Sequence, residues 1–72
     1  MQLSKFLDYH GMSQAEFGKL IGASQPSISR YIAGSRMPRP MQLIRIRKVT
    51  RGAVTADDFI FYAIHARKTV RR

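Results

Sequence analysis

Between Ser13 and Gly34 the chain carries two complete sets of the signals that start and stop a helix, and this stretch restricts the fold more than any other. The run Ser13-Gln-Ala-Glu16 is a capping-box pattern. In it the serine oxygen accepts from the third helical amide while the glutamate reaches back to the serine amide. Gly22 suits the left-handed conformation with which many helices end, so the spacing predicts a helix of about two turns from Gln14 to Ile21. Ser24 is a second N-cap, and Pro26 is acceptable in a first turn, where its missing amide has no intrahelical partner to lose. A further helix is therefore expected from Gln25 to Ala33, stopped by Gly34. Two short helices joined by so tight a turn pack as a helix-turn-helix. Such packing needs a small residue where the backbones approach, a glycine at the turn and an apolar buried side. Gly18, Gly22 and the set Phe17, Ile21, Ile28 and Tyr31 meet these demands in order.

The rest of the chain reads as helices around this unit. Leu3, Phe6 and Leu7 repeat on one face of a helix from Gln2 to about Tyr9, closed by His10 and Gly11. Ser35 to Pro40 is a basic loop, and a fourth helix is expected over roughly Met41 to Arg51, with Pro40 able to sit at its opening. Leu43, Ile46 and Val49 would lie on its inner side, Arg45, Arg47, Lys48 and Arg51 would face water, and Gly52 would be its stop. Thr55 caps a fifth helix running to about Ala66, with Asp57 and Asp58 in the first turn, where the helix dipole favours negative charge. The expected organisation is all-α, five short helices in one domain: 1–66, with the helix-turn-helix at 13–34, a dimerisation helix at 55–66 and a basic tail at 67–72. Alternation of the kind that marks strands is missing, although a short strand is open around Ala53 to Thr55.

Thirteen Lys and Arg against four Asp and Glu give a net charge of +9, which points to a polyanionic partner. No long apolar run, signal peptide or lipidation motif directs the chain to a membrane, so double-stranded DNA is the expected partner. The absence of cysteine fits a reducing cytoplasm. His10 and His65 stand alone, and the adjacent Asp57 and Asp58 fall on different azimuths of a helix. Neither arrangement suggests a metal site or an acid–base pair, so no enzyme, cofactor, metal or small-molecule ligand is expected. A core drawn from 72 residues is small, which favours oligomerisation. The run from Phe59 to Ile64 is too apolar all round for a helix with one wet face, so Phe59, Ile60, Phe61, Tyr62 and Ile64 are expected at a homodimer interface.

The outer side of the third helix keeps Ser24, Gln25, Pro26, Ser27, Ser29 and Arg30. In a major groove glutamine can bond adenine bidentately and arginine can do the same to guanine, which makes Gln25 and Arg30 the expected base readers. Pro26 can offer only apolar contact, as against a thymine methyl. Ser24, Ser27 and Ser29 suit phosphate oxygens, the helix N-terminus adding its amides, and Arg36 and Arg39 of the basic loop are placed to join them.

The segment Gln14-Ala-Glu-Phe-Gly-Lys-Leu-Ile-Gly-Ala-Ser-Gln-Pro-Ser-Ile-Ser-Arg-Tyr-Ile-Ala-Gly34 resembles the helix-turn-helix of phage repressors and Cro proteins. Arg45-Ile-Arg-Lys-Val-Thr-Arg-Gly-Ala-Val-Thr55 resembles the end of the fourth helix and the next turn in Cro-like and YdaS-like prophage regulators. The resemblance implies a lambda-repressor-like fold and a sequence-specific repressor of the Cro type, binding a pseudo-palindromic operator as a homodimer. It also implies that Gln14 contacts a phosphate and braces Gln25, and that the residue at Arg30 reads a base. Gly18 stands where alanine is commoner, which should loosen its helix by about 1 kcal/mol, and after Thr55 the chain departs from Cro proteins that end in a β-hairpin. Two other readings carry different expectations. In an antitoxin-like or adaptor module the fifth helix would bind another protein and DNA binding would be autoregulatory. A non-specific architectural or RNA-binding protein would need stacking aromatics, and Phe17 and Tyr31 are assigned to the core.

Overall fold

The computed structural model describes residues 1–60. It comprises α1 (Leu3–His10), α2 (Gln14–Ile21), α3 (Gln25–Ala33), α4 (Pro40–Val49) and α5, which begins at residue 56 and is described through residue 60. The described residues thus form five helices and no strand. Of the expected dimerisation helix, 61–66 lie outside the described residues, and with them Phe61, Tyr62, Ile64 and His65; the basic tail 67–72 lies outside them too.

Local chemistry sets the helix ends. The α2 capping box is made in both directions, the Glu16 amide donating to Ser13 Oγ at 3.0 Å and the Ser13 amide to Glu16 Oε1 at 2.9 Å. The Ser13 amide, and next its hydroxyl, hold the Glu16 carboxyl below its ordinary 4.5. Gly22 closes α2 at φ 71° and Gly34 closes α3 at φ 80°, a region that glycine enters without strain. Gly18 is needed for a different reason. A Cβ there would run into the backbone carbonyl oxygen of Ala23, so the turn between α2 and α3 is as tight as it is because residue 18 has no side chain.

α4 differs from the sequence expectation at its C-terminal end. It opens with Pro40 in its first turn, where a proline is acceptable, and it stops at Val49, short of Arg51. The reason for the early stop is Thr50, whose buried hydroxyl donates to the Ile46 carbonyl at 2.7 Å and accepts the Val54 amide at 3.1 Å. The chain then reverses through left-handed Arg51 and Gly52 (φ 55° and 84°), which turns Val54 into the core. Ala53 to Thr55 is therefore a bend serving burial and forms no strand. At the start of α5 the Thr55 amide donates to Asp58 Oδ2 at 2.9 Å, and the amine of Met1 donates to Asp58 Oδ1 at 3.0 Å. Partial burial works against the Asp58 carboxylate, yet these hydrogen bonds outweigh it and hold the group below its ordinary 3.8.

Phe17, Ile21, Ile28, Ile46 and Val54 are fully buried and form the centre of the core. Leu3, Phe6 and Leu7 of α1 close one side, Phe6 meeting Phe17 edge-on with centroids 6.2 Å apart. Leu43 and Val49 are only half-buried, so α4 contributes Ile46 as its one fully inserted side chain. Phe59, expected at an interface between copies, is 8% exposed and packs edge-on against Tyr31 of its own chain at 6.5 Å. The small core recruits this ring because α1 to α4 leave Tyr31 without another aromatic partner among the described residues.

Candidate nucleic-acid interface

The core fixes α2 and α3 against each other through Phe17, Ile21, Ile28 and Tyr31, and this leaves the opposite edge of α3 in solvent. Ser24, Gln25, Pro26, Ser29 and Arg30 are exposed and Ser27 is half-buried. Six polar or compact side chains thus share one rigid rim at the start of the helix.

Within that rim the strongest geometric feature joins the two helices. Gln25 Nε2 donates to Gln14 Oε1 at 2.7 Å, across the turn from α3 to the first residue of α2. One hydrogen of the Gln25 amide is used by this bond. Its other hydrogen and its carbonyl oxygen stay free, which is the donor–acceptor pair that matches N7 and N6 of adenine. The Gln14 NH₂ also remains free to donate outward.

The serines divide their work. Ser24 Oγ accepts the Ser27 amide at 3.3 Å and donates its proton to Ser27 Oγ at 3.0 Å, so Ser24 is spent as the N-cap of α3. The Ser27 hydroxyl, accepting from Ser24, keeps its own proton to donate. Pro26 brings no amide and the Ile28 amide bonds the Ser24 carbonyl at 3.1 Å. The helix N-terminus therefore offers an outside ligand the Gln25 amide alone, fewer donors than its position suggests.

Arg30 lies on the exposed edge of α3, without an ion pair among the described residues. Arg36 and Arg39 line an open concavity with Tyr31, Met37 and Gln42. Arg39 is the N-cap of α4 but makes no side-chain cap bond, and Pro40 has no amide, so the first turn of α4 opens beside these two guanidinium groups with its remaining amides uncapped. The stretch from residue 17 to residue 56 has no acidic residue, so α3, the basic loop and α4 bring only cations to this side.

Two contributors have no sequence signal. Arg45, expected to face water, sends Nη1 to the Ile21 carbonyl at 3.3 Å and so ties α4 to the C-terminus of α2, where the dipole favours a cation. Pro38 is buried and anchors the basic loop. Periodicity identifies neither, since both depend on where distant elements meet.

No group of three or more His, Cys, Asp or Glu that could hold a metal occurs among the described residues, and none of their helices is long and apolar enough to cross a membrane. A family model described as helix-turn-helix matches residues 3–55. No curated protein and no solved structure matches the chain significantly.

Proposed function

Since the chain belongs to the helix-turn-helix family and is a DNA-binding transcription regulator, we propose that it acts as a sequence-specific repressor of the Cro type in the cytoplasm, bound as a homodimer to a pseudo-palindromic operator. In this reading α3 enters the major groove, Gln25 pairs with adenine, Arg30 with guanine, and Pro26 lies against a thymine methyl. Gln14, Ser27, Ser29, Arg36 and Arg39 hold the flanking phosphates, with Ser24 acting through its proton to Ser27. Two copies present their α3 helices to successive major grooves about 34 Å apart. Repression then follows from occupation of promoter DNA.

The observation that carries this reading is the 2.7 Å bond from Gln25 to Gln14 on an exposed edge. An amide pair held rigid at the surface has lost side-chain entropy in advance of any partner, which suits a residue that must discriminate rather than merely adhere. Selection of bound sequences from random duplex DNA tests it. The expected product is a two-fold symmetric motif with half-sites one turn apart. A pool that enriches no sequence would overturn it.

A further inference from the structure

We infer that the outer face of α4, together with the first turn of α5, is the surface on which a second copy of this chain docks; the inference rests on the homodimer reading above. Met41, Ile44 and Lys48 follow one another at helical spacing with Arg47 beside them, so the four share a face of α4. That face sets two exposed apolar side chains beside two cations. Met41 is 59% exposed and Ile44 51% exposed, and neither is used by the core. An open groove runs between it and α5, with Ile44, Arg47 and Lys48 on one wall and Thr55 to Asp57 on the other.

The charges identify the occupant. Arg47, Lys48 and Asp57 are exposed, and none of them forms an ion pair among the described residues, where the only such pair joins the Met1 amine to Asp58. Cations on one wall and an acid on the other favour an occupant that carries both signs in the complementary arrangement over one that carries a single sign. They suit the surface itself turned through a two-fold axis. A two-fold interface uses the same patch twice, so a docking that sets one copy's Asp57 against the other's Arg47 and Lys48 makes the reciprocal contact as well and can centre on the two copies of Ile44. Ile60, 44% exposed and one turn beyond Asp57 on α5, extends the apolar centre. Phe59, turned inward onto Tyr31, does not take part.

Sedimentation of the full chain without DNA tests the assignment, with circular dichroism to verify folding. The wild type is expected to dimerise. Ile44→Asp, Asp57→Lys and the pair Arg47→Glu with Lys48→Glu should each weaken the dimer roughly tenfold or more. Combining Asp57→Lys with the pair should restore most of the loss, a rescue that general destabilisation cannot produce. A wild-type dimer that all these variants leave unchanged would overturn this face while leaving the homodimer reading intact. A wild type that sediments as a monomer, and binds a duplex carrying its selected site as a single copy, would overturn both. A monomer that pairs only with a different protein would overturn the second-copy assignment in favour of that partner.

Discussion

Gly18 sits at a balance of two opposing effects. Exchange for alanine raises intrinsic helix propensity by about 1 kcal/mol, but the new methyl would meet the Ala23 carbonyl, which is backbone and cannot step aside without moving the turn. Overpacking of this kind costs about 1 to 3 kcal/mol, so Gly18→Ala is expected to destabilise the protein by about 1 kcal/mol net, measured as a lower midpoint in urea. An increase in stability would mean that the turn yields to the added methyl. The same turn sets Ser24 and Gln25, so buried Gly18 helps to place the side chain proposed to read a base. Helix propensity alone gives the opposite sign for this position, whereas the need for a small residue where α2 and α3 approach gives the sign that the Ala23 carbonyl enforces.

Helix boundaries were legible wherever a cap and its stop are local. Ser13 with Glu16, Ser24 with Pro26, and Gly22 and Gly34 place α2 and α3 to the residue, and the exposed rim from Ser24 to Arg30 follows from them. The end of α4 was not legible, because it is decided by what Thr50 bonds after the chain has turned back. Thr50 is 5% exposed and joins α4 to the segment holding Val54. Thr50→Val keeps the shape and strands the Val54 amide, a buried donor without a partner, so a loss of about 1 to 3 kcal/mol is expected by thermal or urea unfolding. Val54 is buried in the core and is no part of the exposed α3 rim, so DNA specificity should survive where the fold does. The fate of Phe59 was illegible for a related reason: an apolar run shows that burial is needed without showing which surface supplies it.

For the molecule as a whole, charge acts differently on folding and on binding. Glu16 and Asp58 both have carboxyls held below their ordinary values in the folded state. Their contribution to stability is therefore fully present above about pH 4.5, the higher of the two ordinary values, and is lost as the pH falls through the lowered folded values. A urea midpoint that holds steady above that pH and declines below it is the expected profile. A midpoint rising on acidification would contradict it. In the proposed mode of binding, affinity divides between a cationic surface that contacts phosphates without distinguishing bases and an α3 edge that distinguishes them. The most direct measurement of this division is the affinity of the wild type, Gln25→Ala and Arg39→Ala for the selected operator and for each of its single-base variants, over a range of salt. Gln25→Ala is expected to lose about 1 to 3 kcal/mol of discrimination at one base pair of each half-site. Arg39→Ala should weaken every sequence alike and reduce the salt slope by about 1. If Gln25→Ala left the ranking of operator variants as it is in the wild type, α3 would not be reading sequence through this residue and the account would fail.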